Sequence, residues 1–168
     1  MDAPVFTFKL TGAPDGVSDF DFAGSTLMIS KRNTVPSYYN LTAPMTTTIV
    51  DAFAARPHGV VQVYKNGVLW EYFNQESFAY YKGPRSSTVT VTGSRQETIT
   101  GTSATLPALD QMNETKLGNG NIELWMPAFS SNARAGDTVT HRGSTYTVKR
   151  IEHQFSTTGL SSTLTIGV

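Results

Sequence analysis

The sequence predicts a mainly β protein with two β-units and one short helix. Threonine is the commonest residue, and valine, tyrosine, serine and glycine are frequent, which is a composition of strands and turns. The segment 160–168 alternates apolar and polar side chains, as a half-buried antiparallel strand does. An Asn66-Gly67 pair lies between two apolar-rich segments and predicts a type I′ hairpin turn.

Alternation and turn residues predict seven strands in the first half of the chain. They cover residues 5–10, 26–30, 37–42, 60–65, 68–73, 77–81 and 86–93. Phe20 and Phe22 are expected to be apolar anchors of a loop over residues 11–25.

A single helix is predicted over residues 47–55. Ile49 and Phe53 lie four residues apart and therefore share one face of a helix. Thr48 and Asp51 have the spacing of a capping box, and the Arg-Pro-His-Gly segment 56–59 ends the helix.

The second half has fewer predicted elements. Residues 102–121 are mostly polar and are interpreted as a linker or long surface loop, with a strand edge possible at 98–100. Strands are expected at 122–126, 137–141, 144–155 and 160–168, with a loop over 127–135. The predicted units are residues 1–95, with the helix, and residues 96–168.

The strand 144–155 changes phase part-way along its length. Val148 lies at an even position, whereas Ile151 and Phe155 lie at odd ones, so a strict period of two cannot put them on one face. One extra residue near Lys149-Arg150 restores the face, and a β-bulge is predicted there. Such bulges help a sheet to curl into a barrel or a bent sandwich.

No catalytic residue, cofactor site or metal site is predicted. His58, His141 and His153 have no second histidine at ligand spacing. A nucleophile elbow and a phosphate loop are absent, and the glutamates are scattered through strands. An enzyme is therefore disfavoured.

Five aromatic residues have two possible roles: Trp70, Tyr72, Tyr80, Tyr81 and Trp125. They could form a sugar-stacking platform, as in a carbohydrate-binding β-sandwich. We favour packing in the core or at a subunit interface, because cross-strand aromatic pairs are common in sheets.

Basic residues near the last hairpin are candidates for a subunit interface. Arg142, Lys149 and Arg150 could form a solvated strand edge or contact the acidic rim of a neighbouring subunit. His153 alternates with Ile151, so we expect it to be a hydrogen-bonded core-facing or interface residue.

Charge, apolar segments and the first residues of the chain bear on the partners and the location of the protein. The net charge is 0 and only 15% of residues are charged, which argues against nucleic acid as a partner and suits self-association. No apolar segment approaches the roughly 20 residues of a membrane span. The first residues lack a signal-peptide pattern, so we expect folding in a cytoplasm.

Three segments resemble structural proteins of tailed bacteriophages. Residues 136–166, GDTVTHRGSTYTVKRIEHQFSTTGLSSTLTI, resemble the closing barrel strands of tail hub and tail-tip proteins. Residues 82–93, KGPRSSTVTVTG, resemble a strand of short siphophage tail proteins. DAFAARPHG and the following VVQVY, residues 51–64, are similar to a third piece of the same proteins.

The resemblance implies two tube-type β-barrel or sandwich units and a non-enzymatic role in the virion. The expected function is a ring in the distal tail or tail-tip hub, assembled in the host bacterial cytoplasm with other phage tail proteins. Hub proteins of this group are usually longer, so both trimer and hexamer are open, with the trimer favoured. The alternative is a carbohydrate-binding β-sandwich module.

Overall fold

The computed structural model describes residues 4–12, 18–32, 35–97, 101–127, 133–156 and 159–168. Within these ranges the chain is mainly β with one α-helix, as predicted, and a 3-10 turn over Leu109–Gln111. The elements are β1 (Phe6–Thr11), β2 (Phe20–Phe22), β3 (Thr26–Arg32), β4 (Ser37–Pro44), α1 (Thr47–Ala54), β5 (Val60–Lys65), β6 (Val68–Lys82), β7 (Ser87–Arg95), β8 (Ser103–Ala104), β9 (Asn113–Lys116), β10 (Ile122–Pro127), β11 (Thr138–His141), β12 (Ser144–Ser156) and β13 (Gly159–Gly167).

The chain divides into two compact units. Unit 1 comprises Met1–Leu27 and Tyr39–Arg95, and unit 2 comprises Met28–Tyr38 and Gln96–Val168. Residues 28–38, which the sequence-based division placed in the first unit, therefore group with the second. The predicted division into a first unit, 1–95, and a linker with a second, smaller unit, 96–168, stays a prediction.

An ion pair explains why residues 28–38 group with the later part of the chain. The carboxylate of Glu97 accepts hydrogen bonds from Lys31 Nζ at 2.9 Å and from Ser37 Oγ at 2.8 Å. Lys31 and Ser37 are both buried. Because a buried charge is costly without a partner, this carboxylate holds both residues to unit 2.

Unit 1 contains an antiparallel sheet with strand order β2-β1-β5-β6-β7-β4. Alternate residues of these strands point into one core, which includes Phe8, Leu41, Phe73 and Val91. Tyr39 also lies in this core, with its ring stacked on Phe73 at a centroid distance of 4.8 Å.

Two features of the first strands differ from the sequence prediction. Phe20 and Phe22 belong to strand β2, which pairs with β1, rather than to a loop. The predicted strands 68–73 and 77–81 form the single strand β6, with a register shift between Gln75 and Ser77. In both places the strand forms because it pairs with a neighbouring strand, and the local sequence does not reveal that pairing.

The β5–β6 hairpin confirms the predicted turn. Asn66 and Gly67 have φ angles of 53° and 78°, as a type I′ turn requires. The Asn66 side chain also accepts a hydrogen bond from the Val5 backbone N–H at 2.8 Å.

Helix α1 covers Thr47–Ala54, close to the predicted 47–55, and buries Ile49 and Phe53 against the sheet. The predicted capping box of Thr48 and Asp51 is wrong. The N-cap is Thr46, whose hydroxyl accepts a hydrogen bond from the Ile49 backbone N–H at 3.1 Å. Three successive threonines offer the same capping chemistry, and only the backbone path decides which one caps.

Arg56 lies just after the helix and is buried. Its guanidinium donates to the backbone oxygen of Ala52 at 2.9 Å and to that of Ser18 at 2.6 Å. The first bond satisfies a carbonyl in the last turn of α1, where positive charge is favourable. The second attaches the helix end to Ser18, two residues before β2.

Unit 2 has strand order β3-β12-β13-β10-β9, and β11 pairs with both β12 and β8. Its core contains Leu124, Met126, Val148, Ile151 and Leu164.

The interpretation of residues 102–121 as a linker or surface loop is wrong. The segment contains β8 and β9, and β9 pairs with β10 over four residues. Leu106 and Met112 pack against the core of unit 2. The strands of this segment are short and polar, so their pairing left no periodic apolar signal.

The predicted bulge in β12 is confirmed. The pairing of β12 with β13 shifts between Val148 and Arg150, which leaves Lys149 as the extra residue. The alternation of Leu164 and Ile166 in β13 is also confirmed, since both are buried.

Of the two predicted alternatives, barrel or sandwich units, the barrel is wrong. In the described residues the strand path ends at β2 in unit 1 and at β9 in unit 2, and the sheet does not close. Closure depends on strand tilt and stagger, which apolar alternation does not encode.

Candidate interaction surfaces

Two arginines line a surface cavity in unit 2. Arg32 of β3 and Arg150 of β12 belong to the wall of a cavity of about 330 Å³. Its other lining residues are one acidic residue, Glu152, and five uncharged ones: Met28, Ser30, Val35, Pro36 and Tyr38. We call this site the arginine cavity.

The bulge explains why β12 presents basic side chains here. Val148 and Ile151 are both buried, although three positions separate them. Both intervening residues, Lys149 and Arg150, therefore project away from the core, as the two residues of a β-bulge can do. The bulge thus places two consecutive cations on the same side of the sheet.

The cations near the arginine cavity differ in how they are paired. Arg150 donates a short hydrogen bond to the carboxylate of Glu152. The side chains of Arg32 and Lys149 have no hydrogen bond or ion pair with other described residues. The cavity therefore has an unneutralised guanidinium at its wall.

Arg142 does not join this group. It occupies the β11–β12 turn with a φ angle of 48°, and its Nε donates to Glu114 Oε2 at 2.8 Å. Six residues of extended strand, about 20 Å, separate Ser144 after the turn from Arg150. The basic cluster expected from the sequence is thus divided between the turn and the bulge.

Glu114 has a second partner on β11. Nε2 of the buried His141 ring lies 2.8 Å from the same oxygen, Glu114 Oε2. The hydrogen bonds from Arg142 and His141 hold the pKa of the Glu114 carboxyl below its usual range. This ion-pair group attaches β9 to the β11–β12 hairpin.

His153 is half-buried, and its Nδ1 lies 2.8 Å from the hydroxyl oxygen of Ser162 on β13. A hydrogen-bonded role therefore agrees with the geometry. Its role at a subunit interface stays a prediction, as do those of Arg142, Lys149 and Arg150.

The aromatic residues are mainly on the surface, which excludes the core alternative for four of them and leaves the subunit interface as the favoured prediction. The exposed fractions of Tyr80 and Tyr81 are 59% and 63%, and Tyr72 and Trp125 are also exposed. Trp70 is half-buried and makes an edge contact with Phe6. Exposure on the isolated chain is compatible both with a subunit interface and with a sugar platform.

Strand β6 also offers an open edge. β5 pairs with β6 as far as Asn74, and the N–H of Gln75 donates to Gly59 O. Beyond that point the described residues contain no ladder partner for the outer edge of β6, which continues to Lys82. Tyr80 and Tyr81 lie on this segment and point to opposite faces.

Acidic residues mark the end strand of unit 1. Asp19 and Asp21 flank Phe20 at β2 and are both exposed. Among the described residues, the ion-pair partner of Asp21 is Lys9, at a long distance of 3.9 Å. The outer edge of β2 has no strand partner among the described residues. We call Asp19–Phe22 the acidic edge.

The described residues contain no group of three or more histidine, cysteine, aspartate or glutamate side chains that could hold a metal ion. No helix in the described part of the chain is long and apolar enough to cross a membrane.

Comparison with protein families and with curated sequences finds no match for this chain. Solved structures do match. A tail protein from Neisseria meningitidis MC58 has a TM-score of 0.60 at 6% identity, and the match covers 98% of this chain and 96% of that one. A tail protein of prophage MuSo2 from Shewanella oneidensis has a TM-score of 0.59 at 6% identity, with 96% of each chain covered.

The chain has the fold of phage tail proteins. An Escherichia coli component of the type VI secretion system, which exhibits structural similarity to the T4 tail proteins gp27 and gp5, has it too. That match has a TM-score of 0.62 at 6% identity and covers 95% of this chain and 76% of the other. The phage-tail resemblance of residues 51–64, 82–93 and 136–166 is therefore confirmed as a resemblance of fold.

Proposed function

We propose that this chain is a non-enzymatic structural protein of a bacteriophage tail. It forms a ring in the distal tail or tail-tip hub and contacts other tail proteins. It is assembled in the cytoplasm of the host bacterium and remains in the virion tail.

The observation that supports this proposal best is the phage-tail fold, which spans almost the whole chain in each comparison. The surfaces agree with a role in assembly. A long, aromatic-bearing segment of β6 has an open edge, and such an edge favours pairing with another chain.

The proposed ring is a homo-oligomer, with a trimer favoured over a hexamer. Each chain contains two β-units, so three copies supply six units around one axis. Six units match the sixfold symmetry of a tail tube, a step that depends on the family resemblance. Heterologous contacts of this kind close into a ring when the rotation between copies permits it.

The charged residues support a structural role. Glu71, Glu97 and Glu114 each accept hydrogen bonds from neighbouring side chains, and these bonds connect separate strands or segments. These three carboxylates thus hold the fold together, as expected of a structural role.

The test is to locate and count the chain in purified tails. Particles carrying an epitope tag on this protein are labelled with gold-conjugated antibody, and quantitative mass spectrometry gives its copy number. We expect labelling at the distal end of the tail and three or six copies. Labelling outside the tail, or one copy per particle, would refute the proposal.

The exposed aromatic residues favour a second candidate, a carbohydrate-binding module. Trp125 lines a cavity of about 140 Å³ with Gln111, Met112, Asn113 and Pro127. Titration of the purified protein with cell-wall and surface oligosaccharides, followed by tryptophan fluorescence, tests this role. Saturable quenching that Trp125→Ala abolishes and Trp70→Ala preserves would favour it.

A further inference from the structure

We infer that the arginine cavity of unit 2 receives the acidic edge of a second copy of this chain. The inference rests on the proposed ring and names one of its contacts. In this contact a carboxylate of Asp19 or Asp21 meets the guanidinium of Arg32.

The cavity has the chemistry of a carboxylate-binding site. Arg32 has no ion pair with another described residue, whereas Arg150 already has Glu152 as a partner. A guanidinium presents several N–H donors in a planar fork that matches a carboxylate. Tyr38, which is partly exposed, adds a hydroxyl, and Val35 adds exposed apolar surface beside the guanidinium.

The acidic edge has the complementary chemistry. Asp19 and Asp21 are exposed, whereas the ring of Phe22 packs on Phe8 and Phe53 within unit 1. An approaching edge therefore presents its carboxylates. Residues 1–27 contain four aspartates (positions 2, 15, 19 and 21) and one lysine (position 9), a formal charge of −3. The backbone edge of β2 is also unpaired in the described residues and is free to approach another strand.

A second copy is the occupant because every chain carries both patches, one acidic and one basic, while the net charge of the chain is 0. The acidic edge belongs to unit 1 and the arginine cavity to unit 2. Contact between different patches of identical chains is heterologous, and this is the contact type that generates rings. Complementary charge at such a contact sets both the register and the choice of partner.

The first experiment uses the absence of cysteine from the chain. One protein carries Asp19→Cys and another carries Tyr38→Cys, so Asp21 and Arg32 are retained. We expect oxidation of the mixture to give a heterodimer whose yield increases with concentration. The variant with both substitutions should give a ladder of multimers.

The matched control pairs Asp19→Cys with Arg85→Cys, an exposed position in the β6–β7 turn. This pair should give only background cross-linking. The same pairs are placed in assembled tails, where the ring is present at its natural concentration. If the Asp19–Tyr38 pair does not exceed the control in those tails, the inference is wrong.

The second experiment reverses charges. We expect Arg32→Glu to weaken self-association at least about tenfold, because a like charge then faces the acidic edge. Asp19→Arg should have a similar effect, and the double variant should recover most of the association. Arg85→Glu is the control and should change it little. Added salt should weaken the wild-type contact, since the Debye length is about 10 Å at 0.1 M.

The outcomes separate this inference from the proposed function. Tails that contain a ring of this protein but show no Asp19–Tyr38 cross-link would overturn the contact and leave the ring intact. Tails without the protein would overturn the proposed function. If Arg32→Glu weakens binding of an unrelated acidic protein or free phosphate but leaves self-association unchanged, the occupant is not a second copy.

Discussion

The hydroxyl of Tyr39 on β4 donates a 2.9 Å hydrogen bond to a carboxylate oxygen of Glu71 on β6. Both residues are buried in unit 1. The same oxygen lies 3.3 Å from Nη1 of Arg95, and that guanidinium lies 3.9 Å above the ring of Tyr72. A buried carboxylate is thus held by a phenol and by a cation.

Replacing Tyr39 with phenylalanine should destabilise unit 1. The substitution removes one donor from a buried carboxylate, and hydrogen bonds to charged groups contribute about 1.5–3 kcal/mol. Urea unfolding measures the change in the free energy of unfolding. Tyr38→Phe is the matched control, because the neighbouring Tyr38 is exposed and should change by less than about 0.5 kcal/mol. Equal effects of the two substitutions would argue against the hydrogen bond.

Replacing Thr46 with alanine should destabilise helix α1. Its hydroxyl caps the N–H of Ile49, and loss of such a cap costs about 1 kcal/mol. Thr48→Ala is the comparison and should be neutral or slightly stabilising, since Thr48 is exposed within the helix and alanine has the higher helix propensity. Thermal unfolding followed by circular dichroism measures both. A larger loss of stability for Thr48→Ala than for Thr46→Ala would support Thr48 as the cap and contradict the structure.

Replacing Gly67 with alanine should cost about 1–2 kcal/mol, because an alanine at φ 78° is strained. Gly118→Ala tests the explanation. An added Cβ has open space at both positions, but φ lies outside the left-handed range at Gly118. Gly118→Ala should be neutral or should stabilise the fold by a few tenths of a kcal/mol, because alanine reduces the conformational entropy of the unfolded chain. Chemical denaturation of the two variants side by side measures the difference.

The ion-pair group around Glu114 should make unit 2 sensitive to acid. The pKa of the Glu114 carboxyl is lower in the folded chain than in the unfolded chain, so the folded state takes up a proton at this carboxyl less readily. The resulting stabilisation is full above the ordinary glutamate pKa of about 4.3. It is lost as the pH falls through the lower pKa of the folded state.

Glu114→Gln should therefore lower the melting temperature at pH 7 and have a smaller effect near pH 3. Glu123→Gln is the control, because Glu123 has no ion pair with other described residues. A pH-independent difference between the two variants would show that the charge of Glu114 does not stabilise the fold.

The sequence predicts those features whose cause is local. The hairpin at Asn66-Gly67 follows from turn chemistry, and helix α1 follows from the spacing of Ile49 and Phe53. The bulge follows from the phase change between Val148 and Ile151, since a strand with one buried face cannot change phase otherwise.

Features that depend on distant residues were missed or misassigned. Strand β9 has no apolar alternation and exists because β10 pairs with it. Arg142 appeared to belong with Lys149 and Arg150, but Glu114, 28 residues earlier, is its partner. The arginine cavity also eluded prediction, because Arg32 and Arg150 are 118 positions apart and only the sheet order brings β3 beside β12.

The buried Arg56 makes the acidic edge dependent on the helix. One side of its guanidinium reaches Ala52 in the last turn of α1, and the other reaches Ser18, next to Asp19. A chain in which α1 has not formed cannot hold Ser18 in this way, and its acidic edge then depends on the pairing of β2 with β1. In the proposed ring, a partly folded chain would therefore offer a neighbour a less ordered acidic edge, and assembly would follow the completion of folding instead of competing with it.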